Sequence, residues 1–177
     1  MEIYFIRHTS VDVAPGYCYG NTDVETKPSF EEEAERVKGK VSNLMFDQVY
    51  TSPLSRAAKL AAYCGYGDAV HDARLKELNF GEWEMKNYDE LYASDERFKS
   101  WCNNYLTERC PKGESFGDML SRVEDFIIET KKQGYGRIAA FCHGGIQASA
   151  MLIAGIADKV NLFNNIPPYG SVIKIEI

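Results

Sequence analysis

Apolar positions along the chain fall into short blocks whose spacing alternates between strand-like and helix-like. Ile3-Tyr4-Phe5-Ile6 is a compact apolar run near the start. Phe30, Ala34, Val37, Val41 and Leu44 then recur every three or four positions, which places them on one face of a helix. Ser29 with Glu32 reads as a capping box at the start of that helix. A short strand over Gln48–Thr51 is followed by Ser52 as an N-cap, Pro53 at the first helical position, and Leu54, Ala57, Ala58 and Ala61 as apolar positions. Ser115 caps a later helix carrying Phe116, Leu120, Val123 and Ile127, which ends near Gly134 and Gly136. A buried strand over Arg137–Cys142, a helical run over 146–154 and an alternating strand over 171–177 complete the series, the last with Ile173, Ile175 and Ile177 on one face.

Strands alternating with helices predict an α/β fold, a three-layer α/β/α sandwich around a mostly parallel sheet. Without a repeat or a linker, residues 1–177 are expected to form a single domain. Residues 79–115 break the alternation: Trp83, Tyr88, Tyr92, Phe98, Trp101 and Tyr105 are scattered among mixed charges. This stretch is expected to be a small helical excursion capping a pocket, although each aromatic taken singly fits a satellite core equally well.

Composition narrows the function classes. The chain has 20 Lys and Arg against 26 Asp and Glu, a net charge of −6, which disfavours nonspecific nucleic-acid or acidic-membrane binding. An anionic ligand would need a locally basic pocket. No apolar run is long enough for a membrane span, and Met1-Glu2 opens no secretory signal, so a cytoplasmic location is expected. Five cysteines without a C-x-x-C pair suggest reduced thiols rather than a disulfide framework or a zinc site.

The candidate chemistry lies at the ends of the apolar strands. Arg7 and His8 follow the first, and His143 follows Arg137–Cys142 where Gly144-Gly145 open a helix; Arg56 sits in the first turn of the helix after Gln48–Thr51. In an open α/β sheet, ligands bind outside the carboxyl ends of the strands, where helix N-termini such as that at Gly144 offer amides to anions. Arginine matches phosphate oxygens two at a time, and a neutral imidazole can attack phosphorus. His8 is therefore the candidate nucleophile, with Arg7, Arg56 and His143 around the phosphoryl oxygens. Glu77, in Leu75-Lys76-Glu77-Leu78, is the candidate proton donor, since a carboxyl among apolar neighbours is suited to hold a proton. Taken alone it reads more readily as a surface carboxylate beside Lys76. His71 has no Arg-bearing motif beside it and is given no role. A metal held by His8, His143 and Asp12 or Asp23 lacks close His-His spacing, so neither a metal nor a cofactor is expected.

Four blocks occur in one order: Arg7-His8-Thr9, Thr51-Ser52-Pro53-Leu54-Ser55-Arg56-Ala57, Glu77-Leu78-Asn79-Phe80-Gly81-Glu82-Trp83-Glu84, and Phe141-Cys142-His143-Gly144-Gly145. Together they resemble the histidine phosphatase superfamily, also called phosphoglycerate mutase-like. The resemblance implies a phosphoglycerate mutase-like fold, His8 as the phosphorylated nucleophile, Arg7, Arg56 and His143 as phosphate ligands, and Glu77 as proton donor. Gly81-Glu82-Trp83-Glu84-Met85, Trp101-Cys102-Asn103-Asn104 and Pro111-Lys112-Gly113-Glu114-Ser115-Phe116 are further similar to α-ribazole phosphatases of cobalamin assembly. That similarity implies a small-molecule phosphomonoester substrate with a benzimidazole-like base, for which Trp101 or Tyr105 could supply a stacking platform.

The chain departs from the superfamily at Thr9, where Gly is usual, and at Ala14, where Asn is usual. Backbone amides around Tyr19-Gly20-Asn21 are the expected replacement for the lost side-chain contact to phosphate, because glycine lets the main chain approach an anion. The alternatives are a broad-specificity sugar-phosphate phosphatase, a phosphoglycerate mutase-like enzyme, or a non-enzymatic module that binds a phosphorylated ligand. The sequence leaves the oligomeric state open.

Overall fold

The computed structural model describes residues 1–157 and 166–177. The strands are β1 (Glu2–Arg7), β2 (Gln48–Thr51), β3 (Val70–His71), β4 (Arg137–Cys142) and β5 (Val172–Glu176), arranged in the order β3-β2-β4-β1-β5. The first four in that order are parallel to their neighbours, and β5 runs antiparallel along β1. The helices among the described residues are α1 (Phe30–Val41), α2 (Ser55–Tyr63), α3 (Tyr88–Ser94), α4 (Glu96–Asn104), α5 (Phe116–Lys132) and α6 (Gly144–Ile153).

The period-2 alternation of the sheet explains its two covers. Ile3, Phe5, Ile138, Ala140, Cys142 and Ile175 face a cluster completed by α5 and α6, whereas Ile6, Ala139 and Phe141 face one completed by α1 and α2. The α5 side chains Phe116, Met119, Val123, Phe126 and Ile127 are buried, each worth about 1.5–3 kcal/mol if large and apolar. This is the expected three-layer arrangement, with α5 beginning at a full capping box between Ser115 and Asp118.

Two helix starts differ from the sequence reading in their capping bonds. Ser29 makes no cap bond; its hydroxyl donates to Glu33, which also takes the amide of Ser10, while Glu32 pairs with Arg36 at the surface. Helix α2 begins at Ser55 rather than after Ser52, and Asp23 accepts from both the amide and the hydroxyl of Ser55, at 2.9 and 2.8 Å. Ser52 is occupied elsewhere, as described below.

The aromatic excursion is largely core. Trp83, Phe98 and Trp101 are almost fully buried and pack edge-on or stacked on one another in the cluster beneath α5. All five cysteines are free, and burial pushes the thiols of Cys18 and Cys110 up to about 12, so neither ionises near neutrality.

Candidate active site

Adjacent parallel strands end side by side, and this register assembles the site. Arg7 pairs with Cys142 across β1 and β4, so His8 and His143 leave the sheet next to each other with ring centroids 5.1 Å apart. Thr51 pairs with Phe141, which brings Ser52 beneath His143. His8, His143 and Arg56 are all buried, and Glu77 reaches the same end of the sheet to accept from the amide of Gly145 at 3.0 Å.

A main-chain hydrogen bond sets the tautomer of the His8 ring. His8 Nδ1 lies 2.7 Å from the carbonyl oxygen of Thr9, which can only accept, so Nδ1 carries the proton and Nε2 keeps its lone pair. Desolvation, then the Arg56 cation, hold the His8 pKa well below the usual imidazole range, and the ring is neutral at pH 7. The same causes depress His143. Ser52 Oγ accepts from the Leu54 amide at 3.3 Å and lies 2.8 Å from His143 Nε2.

Among the described residues, His143 Nδ1, Arg7 Nε and Arg56 Nε are buried without a hydrogen-bond partner. Buried donors are rarely left unpaired. These three belong to the three side chains singled out as phosphate ligands.

Other donors of the two arginines bond main-chain carbonyls, which orients them. Arg56 donates to the carbonyls of Thr22 and Gly20, at 2.9 and 2.6 Å. Arg7 donates to the Pro167 carbonyl, and its guanidinium lies 4.2 Å from the centroid of the Tyr169 ring. Gly144 permits this packing, because a Cβ there would stand 3.0 Å from Arg7 Cζ. Tyr169 in turn lies against His8 and hydrogen-bonds Tyr19.

Two expectations are corrected by this geometry. The amides of Gly20 and Asn21 are not directed to a phosphate: both donate to the carboxylate of Glu84, at 3.1 and 2.9 Å, and Gly20 serves instead to let the loop pass the carbonyl of Leu78. Trp101 packs against Phe80, Trp83 and Phe98 and is absent from the cavity beside Glu77. That cavity, of about 200 Å³, is lined by Tyr17, Tyr19, Leu78, Phe80, Tyr88 and Met119, with Arg7 and Glu77 at its polar end. Tyr17 and Tyr88 line this cavity, whereas Trp101 and Tyr105 are not among its lining residues. Glu84 was also missed; its position inside Gly81-Glu82-Trp83-Glu84 was the one available signal.

No group of three His, Cys, Asp or Glu side chains able to hold a metal occurs among the described residues. No described helix is long and apolar enough to cross a membrane.

The family model for the histidine phosphatase superfamily (branch 1) matches residues 3–177. The chain is 29% identical over 169 residues to "Putative phosphoserine phosphatase 2" of Hydrogenobacter thermophilus, covering 92% of this chain and 83% of that one. It is 28% identical over 152 residues to adenosylcobalamin/alpha-ribazole phosphatase of Escherichia coli K12, covering 82% and 75%. The crystal structure of the alpha-ribazole phosphatase from Shigella flexneri superimposes with a TM-score of 0.87 at 24% identity, covering 100% of this chain and 91% of the other, a likeness of fold.

Proposed function

The chain belongs to the histidine phosphatase superfamily, and from that premise we propose that it hydrolyses a small-molecule phosphomonoester through phospho-His8, with α-ribazole 5′-phosphate as the preferred substrate. The observation that carries the substrate reading is the aromatic cavity opening off Glu77. Its walls of Tyr17, Tyr19, Phe80 and Tyr88 suit a flat two-ring base, and Arg7 is the one cation lining it among the described residues. A phosphoglycerate or phosphoserine brings a second anionic group, for which the described lining residues offer no basic partner besides Arg7.

In the first step, the His8 Nε2 lone pair attacks phosphorus while the bond to the leaving oxygen breaks. Arg7, Arg56 and His143 hold the equatorial oxygens as charge spreads over them; loss of one such preorganised donor costs about 3–4 kcal/mol of barrier in other enzymes. Glu77 gives its proton to the departing alkoxide. In the second step it takes a proton from water, the hydroxide attacks phospho-His8, and the P–N bond breaks to release inorganic phosphate.

Initial rates on α-ribazole 5′-phosphate, 3-phosphoglycerate, phosphoserine and p-nitrophenyl phosphate test this reading. The expected result is the highest kcat/KM for α-ribazole 5′-phosphate by about tenfold or more, the scale of apolar pocket discrimination. A preference for phosphoserine or phosphoglycerate would overturn the substrate assignment while leaving the phosphohistidine chemistry in place. Tight vanadate binding with no turnover of any of the four would favour a phospho-ligand binding module.

A further inference from the structure

We infer that Glu84 is a positioning residue for phosphate binding, acting through Arg56 by folding the 20–22 loop into a two-carbonyl clamp for its guanidinium. The inference rests on the reading of Arg56 as a phosphate ligand. It concerns a carboxylate that touches none of the reacting atoms.

Glu84 accepts five hydrogen bonds. Its Oε2 takes the amides of Gly20 and Thr22, both at 3.1 Å, and the Thr22 hydroxyl at 2.6 Å. Its Oε1 takes the amides of Asn21 and Phe80, both at 2.9 Å. Three consecutive amides thus converge on one carboxylate, and the carbonyls of Gly20 and Thr22 in that same loop are the ones that accept from Arg56. A loop with its N–H groups gathered on one anion behaves as an inverted phosphate nest, and here the anion is built into the chain.

The consequence for binding follows from the arginine's donors. Each of its two terminal nitrogens gives one bond to the loop, and Nε is buried without a hydrogen-bond partner. A guanidinium is planar, so anchoring two nitrogens aims the third. Hydrogen bonds to a charged acceptor are stronger than neutral ones, which makes a carboxylate better suited than an amide to hold three backbone donors at once. Glutamine at position 84 would turn one of the two acceptors into a donor facing N–H groups. The loop could not close in the same way, and Arg56 would lose its aim.

The test is orthovanadate inhibition of the full-length enzyme in a double-mutant cycle with Glu84→Gln and Arg56→Ala, with melting temperature followed in parallel. Glu84→Gln is expected to raise the vanadate Ki at least tenfold, and to add less than twofold when Arg56 is already Ala. A role confined to fold stability would lower Tm and leave the Ki of the folded fraction unchanged, which overturns the inference. So would a Glu84→Gln effect that persists in full on the Arg56→Ala background. Should Glu84→Gln not fold, Thr22→Val removes only the 2.6 Å hydroxyl bond and is expected to raise the Ki about threefold with the same dependence on Arg56; an unchanged Ki would overturn the inference. Arg56→Ala with wild-type vanadate affinity would instead overturn the reading of Arg56 as a phosphate ligand.

Discussion

The Nδ1 of His8 stands 2.7 Å from the carbonyl oxygen of the next residue, Thr9, so a main-chain acceptor fixes which ring nitrogen is free to attack. Backbone geometry enforces this tautomer, because the acceptor is a main-chain carbonyl and not the Thr9 side chain. Rapid quenching after mixing with a phosphorus-labelled substrate should trap an acid-labile label on His8. His8→Ala should carry no label and lose about 10³-fold or more in kcat/KM. Label retained on His8→Ala would rule out this nucleophile.

Both buried rings are held neutral by desolvation first and the nearby Arg56 cation second. The unfolded chain takes up these protons near pH 6.5 and the folded chain only well below it. Stability from the neutral rings is therefore complete above about pH 6.5 and is lost as pH falls toward the folded values, by up to about 1.4 kcal/mol per pH unit for each ring. Thermal melts should show Tm falling from pH 7 to pH 5, with a shallower fall in His8→Asn. Equal slopes for the two proteins would contradict the assignment.

Gly145 holds Glu77 by its amide, and a Cβ at that position would meet Glu77 Oε1 at 2.3 Å. Gly145→Ala should therefore act as a proton-donor variant. We expect kcat for an alkyl phosphate to fall by about 10²–10⁴, as general acid catalysis is lost, and kcat for p-nitrophenyl phosphate to fall much less, because that leaving group needs little protonation. Equal losses on both substrates would point to general disruption of the site.

Trp101 and Tyr88 should separate stability from recognition. Trp101→Ala empties a buried site and is expected to cost about 3–5 kcal/mol of unfolding free energy with little change in KM. Tyr88→Ala at the cavity wall should raise KM for α-ribazole 5′-phosphate severalfold while leaving that for p-nitrophenyl phosphate nearly unchanged. Denaturant unfolding and steady-state kinetics on the two variants check both, and the reverse pattern would place the base on Trp101.

The order of strands and helices was readable from the chain because period-2 and period-3.6 patterns are local. Arg137–Cys142 and Gln48–Thr51 needed no information from elsewhere, and the Ser115 cap lies three residues from the Asp118 that completes it. Arg7, His8, Arg56 and His143 could be grouped because the parallel topology places strand ends together. The cap bonds at Ser29 and Ser52 were not legible, since the Ser29 hydroxyl donates to Glu33 one turn on and the Ser52 hydroxyl lies against His143, distant in sequence.

Sequence pattern alone therefore carried the layer architecture and the identity of the candidate phosphate-handling side chains, which depend on residue type and short-range spacing. Tertiary packing decided which side of each polar group is used. It turned the amides of Gly20 and Asn21 toward Glu84 and their loop carbonyls toward Arg56, and it set Trp101 in the core while leaving Tyr17 and Tyr88 at the cavity. A backbone amide or an aromatic ring has the same covalent chemistry in either place. Only the long-range contacts that bury one face and leave the other open distinguish the two.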